Sequence, residues 1–153
     1  MKNLFPILLS LLLVPLAQAQ DVFTAQELEQ LGETLSGQVG SNNAAILDNI
    51  IDEGGYFAAM VHREPGPGFS ESHAEWADLY FVTSGTATLV TGGTIVNPTE
   101  DDPGEVRGTA IDGGTRQRIS AGDVVHIPVG VPHHVLVEAG DQVTYFIFKA
   151  KPE

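Results

Sequence analysis

Two stretches of the chain decide its fold: GDVVHIPVGVPH at residues 122–133 and ESHAEWADLYFVTSG at residues 71–85. Both place short runs of β-branched or aromatic residues beside glycine or proline, a pattern typical of strands joined by tight turns. The same texture runs through candidate strands at residues 56–63, 78–83, 86–90, 117–119, 124–127, 133–138 and 142–149. Many short strands separated by Gly and Pro turns predict an all-β sandwich or barrel.

The later stretch resembles the second motif of the cupins, a superfamily of small β-barrel proteins. Gly122, Pro128, Gly130 and His133 stand at the spacing of that motif. The motif normally ends on asparagine, and this chain has Val137 at that position. The residues that shape the turns of the motif are therefore all present.

The earlier stretch resembles the first cupin motif with three departures. His73 takes the second histidine position, and Gly85 closes the motif. Glu71 stands at the first histidine position, Asp78 replaces the usual glutamate, and the opening glycine falls on Pro65. The resemblance covers residues 55–149. It implies a cupin-type jelly-roll β-barrel over residues 55–153.

The same residues form a candidate metal site. Residues two apart on a strand share a face, so Glu71 and His73 point into one cavity if their segment is extended. A closed sheet brings Asp78 and His133 to the same interior. Two imidazole nitrogens with one or two carboxylate oxygens suit Mn(II), Fe(II), Ni(II) or Zn(II). We therefore predict His73, Asp78, His133 and Glu71 as ligands of a divalent metal ion, and three protein ligands would leave positions open for substrate.

The carboxylates and one tyrosine have alternative roles. Glu71 is either a ligand, a general base beside the metal, or a solvated loop carboxylate. Asp78 is either a ligand or the acceptor of a backbone hydrogen bond at the start of its strand. Tyr80 shares the face of Asp78 and either donates a hydrogen bond to a bound ligand or packs in the core. Glu71 and Tyr80 are the candidate catalytic residues.

Other polar residues have weaker links to the site. His134 follows His133 and should face the opposite side of its strand, which predicts a structural role. His62 and His126 are predicted as core or rim histidines, and Trp76 as part of the pocket mouth. An arginine near the site would favour a carboxylate-bearing substrate. The arginines are Arg63, Arg107, Arg116 and Arg118, each expected by default to be a surface charge.

Residues 1–19 read as a secretory signal peptide. Lys2 gives a positive start, residues 4–16 are mainly apolar, and Ala17-Gln18-Ala19 forms a small-residue cleavage site. The apolar run is shorter than the roughly 20 residues of a spanning helix. We expect a mature protein that begins near Gln20, is not embedded in the membrane, and is periplasmic or secreted.

Residues 20–54 are predicted to form an N-terminal helix and linker. Thr24 and Glu27 match a capping box, which satisfies backbone donors at a helix start. Leu28, Leu31 and Leu35 follow on one helical face, so the helix should run to about Ser36 and pack on the barrel or on a partner subunit. The segment 37–43 is rich in Gly, Ser and Asn and reads as a linker.

Composition limits the classes of function. The formal net charge is −13, which makes nucleic acid and anionic membrane surfaces poor partners. The absence of cysteine excludes disulfides and thiol catalysis. Cupins include dioxygenases, isomerases, lyases and binding proteins, so the resemblance implies a site but no single reaction. We expect a metal-dependent enzyme or metal-poised pocket for a small organic molecule. The alternatives are a metal-free ligand-binding module and a structural homodimer.

Overall fold

The computed structural model describes residues 22–153, so the predicted signal peptide lies outside the described part of the chain. This part contains one helix and twelve strands. Their bounds are α1 (Ala25–Ser36), β1 (Ala44–Asp52), β2 (Tyr56–Arg63), β3 (Ser70–His73), β4 (Ala77–Thr91), β5 (Thr94–Val96), β6 (Thr99–Asp102), β7 (Glu105–Gly108), β8 (Ala110–Asp112), β9 (Thr115–Ser120), β10 (Val124–Ile127), β11 (His133–Leu136) and β12 (Val143–Ala150). The prediction of an all-β fold with an N-terminal helix is confirmed.

The strands form a curled antiparallel sheet around one long strand. Its order is β1-β2-β12-β4-β11-β3-β7-β6, and β9 and β10 also pair with β4. The strand β4 has 15 residues, and it covers both segments that the sequence predicted as separate strands. Its first half pairs with β10 and β12, and its second half with β9 and β11. A separate two-stranded sheet joins β5 to β8.

Gly85 lies where β4 passes from one half of the barrel to the other. Its φ of +75° is rarely adopted by other residues. A side chain at this position would also collide with the backbone carbonyl of Gln142, which accepts a hydrogen bond from the amide of Thr86. The glycine of the first motif is therefore needed for the close approach between β4 and the segment that leads into β12.

The barrel interior is an apolar core built from alternate residues of the strands. As predicted, Tyr80 and Val82 of β4 face inward together with Val135 and Val137. The other members of this buried cluster are Ala59, Val61, Ala87, Leu89, Ile119, Ile127, Val143, Tyr145 and Ile147. This core holds fixed the strands that carry the polar residues described below.

The helix packs against the outside of the barrel. Its capping box is present as predicted, with the Thr24 hydroxyl accepting from the Glu27 amide and the Glu27 carboxylate accepting from the Thr24 amide. Leu35 is buried in a second cluster with Ala45 and Met60, against which Leu28 and Leu31 also pack. The helical stripe therefore covers the outer face of β1 and β2.

Two segments differ from the sequence-based expectations. Residues 97–108, predicted as a loop between the motifs, contain the hairpin β6–β7, and β7 pairs with β3. The acidic residues of this segment have low β propensity, so its sequence did not indicate strands. The hairpin forms because β7 pairs with the distant strand β3. Residues 44–52 were assigned to the helix-and-linker segment, yet they form β1, which pairs with β2 from Ala44 opposite Arg63.

Candidate functional site

A cavity of about 310 Å³ opens on the inner face of the barrel. Its apolar wall includes Phe57, Phe69, Trp76 and Ile147. Its polar lining comes from Asp48, Arg63, Glu71, His73, Tyr80, Glu105, Arg107, Tyr145 and Lys149. Apolar walls with a few convergent polar groups are typical of small-molecule sites, and the volume lies at the small end of their range of about 300–1,000 Å³.

The strand β3 places Glu71 and His73 on the cavity side, as the two-residue period predicts. The ring of His73 is oriented by Glu105, which stands opposite it in the β3–β7 register. The Nδ1 atom of His73 lies 2.5 Å from Oε2 of Glu105. A carboxylate that accepts the Nδ1 proton leaves the Nε2 lone pair available to a metal ion or a donor.

His133 reaches the same place from the start of β11. Its Nδ1 atom lies 3.0 Å from the carbonyl oxygen of Val131, which fixes Nδ1 as the protonated nitrogen of the neutral ring. Its Nε2 atom lies 3.6 Å from Glu71 Oε1 and 3.4 Å from Asp78 Oδ2. This nitrogen is buried and has no hydrogen-bond partner among the described residues.

These donors fit a first-row divalent metal ion. One ligand atom each from Glu71, His73 and His133 lie within 4.8 Å of one another. Ligands about 2.1 Å from a tetrahedral ion lie about 3.4 Å apart. Glu71 Oε1 lies 3.6 Å from His133 Nε2 and Glu71 Oε2 lies 4.0 Å from His73 Nε2, so an ion would draw the three groups closer together than they stand here.

Asp78 adjoins the same nitrogens and also holds a cation. Its Oδ2 atom lies 3.5 Å from His73 Nε2 and 3.4 Å from His133 Nε2. Its Oδ1 atom lies 2.8 Å from the ammonium group of Lys149, which also stands 2.6 Å from His73 Nε2. Lys149 and Asp78 face each other in the β12–β4 register. The site therefore contains an ammonium group that would compete with a metal ion for the lone pair of His73 Nε2.

The ionisation of the cluster follows from these contacts. Burial raises the pKa of Glu71, but the close contact with His133 and the charges of His133, Lys149 and His73 outweigh burial and lower the pKa to about 2. The same balance, led by burial and reversed by the two histidines and Lys149, holds the pKa of Asp78 well below its ordinary value. Burial lowers the pKa of His133, yet Asp78 and Glu71 raise it to about 9. Without a metal ion, His133 is thus an imidazolium between two carboxylates.

Tyr80 adjoins this cluster and keeps its proton. Its hydroxyl donates to Asp78 Oδ2 at 3.3 Å, and its ring stacks on Tyr145 with centroids 4.6 Å apart. Burial, together with the charges of Tyr145, Asp78 and Glu71, raises the pKa of Tyr80 well above its ordinary value. Tyr80 also lines the cavity, where a phenol can donate a hydrogen bond to a bound molecule.

The remaining histidines lie away from the cluster. His134 points to the other side of β11, where its Nε2 atom lies 3.1 Å from the carbonyl oxygen of Pro67. His62 is buried and its Nδ1 atom lies 2.8 Å from the hydroxyl of Thr144, while His126 is exposed. None of the three is among the residues that line the cavity.

Sequence reasoning missed three residues of the site and could not place two others. Glu105, Tyr145 and Lys149 carry no motif, and their positions depend on pairing between distant strands. Arg63 and Arg107 were expected on the surface by default, but both line the cavity. Arg118 is a surface charge as expected, since it is half-exposed and paired with Asp141.

No protein-family model and no curated protein sequence matches the chain. Solved structures do match its fold. A recombinant oxalate oxidase in complex with glycolate superposes with a TM-score of 0.56 at 15% identity, over 90% of this chain and 64% of that one. A Cupin 2 conserved barrel domain protein from Salinispora arenicola gives 0.50 at 20% identity, over 72% and 78% of the two chains. The DMSP lyase DddQ from Ruegeria pomeroyi gives 0.50 at 18% identity, over 74% and 51%. The chain therefore has the cupin fold, a jelly-roll β-barrel, as the two motifs predicted.

Proposed function

We propose that the protein is an exported cupin that binds one first-row divalent metal ion at Glu71, His73 and His133 and acts on a small organic molecule in the adjoining cavity. When bound, the ion would supply a Lewis acid that polarises an oxygen of the ligand. Tyr80 would donate its hydroxyl hydrogen to the ligand in place of Asp78, and a carboxylate not engaged by the ion would accept a proton. Dioxygenase, isomerase and lyase chemistry remain the candidate reaction classes.

The observation that carries this proposal is the orientation of the two histidines. Each has its Nδ1 atom tied to an oxygen, Glu105 in one case and Val131 in the other. Both Nε2 atoms then face the carboxylates of Glu71 and Asp78 within 4.0 Å. A metal-ligating histidine usually donates its second ring N–H to a carboxylate or a backbone carbonyl, as the Nδ1 atoms do here. The cupin neighbours support the proposal only through the fold.

A metal-free binding module is a second candidate, and Lys149 is the observation that favours it. Its ammonium group lies 2.6 Å from His73 Nε2 and 2.8 Å from Asp78. The ammonium group of Lys149 can stabilise the carboxylates of Asp78 and Glu71 without any metal ion. In that case the cavity would bind a small molecule with no chemistry at the cluster.

Metal analysis of protein purified without an affinity tag separates the two candidates. After reconstitution with Zn²⁺ or Mn²⁺ and dialysis, the wild-type protein should retain about one ion per chain. Because they remove an ionic ligand and a nitrogen ligand, Glu71→Gln and His73→Ala should each lose it. Gln117→Ala, on β9 and away from the cavity, serves as the control. Retention of no metal by the wild-type protein would favour the metal-free module.

Export is part of the proposal because residues 1–19 match a signal peptide. Within residues 22–153, no helix is long and apolar enough to cross a membrane. Expression of the full chain followed by mass spectrometry of the exported fraction should give a protein that begins near Gln20. Detection of intact Met1–Ala19 in that fraction would contradict the cleavage. A homodimer remains an expectation that solution scattering would check.

A further inference from the structure

We propose that the cavity recognises a carboxylate group of its ligand through Arg63 and Arg107. The inference rests on the proposed function, because the same cavity adjoins the candidate metal site. It adds the chemical class of the ligand: a small organic acid whose apolar body lies against the aromatic wall of the cavity.

Arg63 is a buried cation with unused donors. Its side chain is 5% exposed, and it lines the cavity from the end of β2. Among the described residues, its one side-chain hydrogen bond runs from Nε to the Tyr145 hydroxyl at 2.8 Å, and no carboxylate lies within 4.0 Å of it. A guanidinium carries five N–H donors, and a buried charge is costly unless it is paired. The terminal nitrogens of Arg63 therefore lack the anion that such a group ordinarily has.

Arg107 approaches the same region from β7. It lines the cavity and is 45% exposed, with Nη1 2.8 Å from Asp101 and Nε 4.0 Å from Glu71. The ring of Phe69 lies beside both arginines, with its centroid 5.2 Å from the Arg63 guanidinium carbon and 5.3 Å from that of Arg107. Stacking on an aromatic ring fixes the plane of a guanidinium. Phe69 thus orients both guanidinium groups at the same end of the cavity.

The charges of the cavity favour an anion at this end. In the strand register, Arg63 stands opposite Val143 and Lys149 stands opposite Phe57, at the two ends of the β2–β12 pair. Lys149 is already neutralised by Asp78. Among residues 22–153, Arg63 has no carboxylate within 4.0 Å and feels only the more distant charge of Glu71, so an anionic ligand gains most from contact with it. Because Asp48, Glu71 and Glu105 also line the cavity and repel anions, a singly charged carboxylate suits the site better than a doubly charged phosphate.

Trp76 allows a direct binding test. It is the single tryptophan of the chain and it lines the cavity, so its fluorescence should report occupancy. Benzoate and butyrate would be titrated beside their neutral amides, benzamide and butyramide, with EDTA present and again with Zn²⁺. The wild-type protein should bind at least one acid roughly tenfold more tightly than its amide, because only the acid pairs with Arg63.

Matched variants identify the groups responsible. Arg63→Met should weaken acid binding by roughly tenfold to a hundredfold and leave amide binding nearly unchanged. Arg107→Met should weaken acid binding less than Arg63→Met does, since Arg107 already pairs with Asp101. Arg118→Met is the control, because Arg118 is half-exposed, paired with Asp141 and absent from the cavity lining. Thermal melting of each variant identifies loss of folding, and Arg107, being more exposed, tests the site if Arg63→Met does not fold.

The outcomes separate this inference from the proposed metal site. Equal affinity for acids and amides, tighter binding of inorganic phosphate than of either acid, or acid selectivity that survives both arginine substitutions would overturn it. Zn²⁺ binding without acid binding would overturn the inference and leave the metal site standing. Selective, arginine-dependent acid binding by a protein that retains no metal would support the inference and remove the metal site.

Discussion

Replacing Lys149 with methionine should increase the affinity of the site for a divalent metal. The ammonium group donates to the same His73 lone pair that an ion would use, at 2.6 Å. An ion about 2.1 Å from that nitrogen would lie at most about 4.7 Å from Nζ. At an effective dielectric constant of about 20, the repulsion between a divalent ion and the fixed ammonium is about 7 kcal/mol. Lys149 must therefore swing away when the ion binds.

The cost of that movement sets the size of the effect. The ion displaces a hydrogen bond to a charged group, which contributes about 1.5–3 kcal/mol. Lys149→Met removes this competition, so the affinity for Zn²⁺ should rise by roughly tenfold to 150-fold. Without metal the variant removes one of the two cations beside the carboxylate of Asp78, 1% exposed, and leaves the His133 imidazolium. The loss of this buried partner should lower the free energy of unfolding by less than the roughly 3–5 kcal/mol of a buried charge left with no partner.

Calorimetric titration with Zn²⁺ and melting curves with and without EDTA measure both effects. The matched control is Lys151→Met, which removes an exposed lysine that pairs with Glu75 at 2.6 Å outside the cluster. Lys149→Met should melt below the wild-type protein in EDTA and approach it or exceed it with Zn²⁺. An unchanged or weaker Zn²⁺ affinity in Lys149→Met, with Lys151→Met like the wild type, would refute competition between the ammonium group and the ion.

Three further predictions test individual residues. His133→Ala should lose Zn²⁺ binding and His134→Ala should keep it, because their Nε2 atoms face opposite sides of β11; equal loss by equilibrium dialysis would contradict the assignment. If Asp78 is a ligand, Asp78→Asn should weaken Zn²⁺ binding while Asp78→Glu keeps it; a fully loaded, stable Asn variant would leave Glu71 as the carboxylate ligand. In the metal-free protein the pKa of His133 is raised to about 9, so its stabilising charge is complete below its ordinary pKa of 6.5 and lost as pH rises through about 9. Urea unfolding from pH 6 to 10 should show a decline of about 3 kcal/mol that His133→Gln lacks, and parallel curves would argue against it.

Local patterns in the sequence were enough for the fold and for the first members of the site. The glycines and prolines of the two motifs fix tight turns, and a two-residue period sorts strand faces, so Glu71, His73, Tyr80 and His133 could be placed on the interior in advance. The capping box and leucine stripe likewise predicted the helix Ala25–Ser36. These features depend on residues within one strand or one helical turn of each other.

The tertiary structure alone decided which polar groups meet in the cavity. Glu105 lies 32 residues from His73 in sequence, Lys149 lies 76 residues from it, and Tyr145 lies 82 residues from Arg63. No local pattern marks these pairs, because a strand register is set by the packing of the whole sheet, and a shift of one residue would turn each side chain to the other face. The sequence by itself therefore determined a cupin barrel with two histidines and two carboxylates inside. Only the closed sheet decided that a lysine shares their site and that arginines line the same cavity.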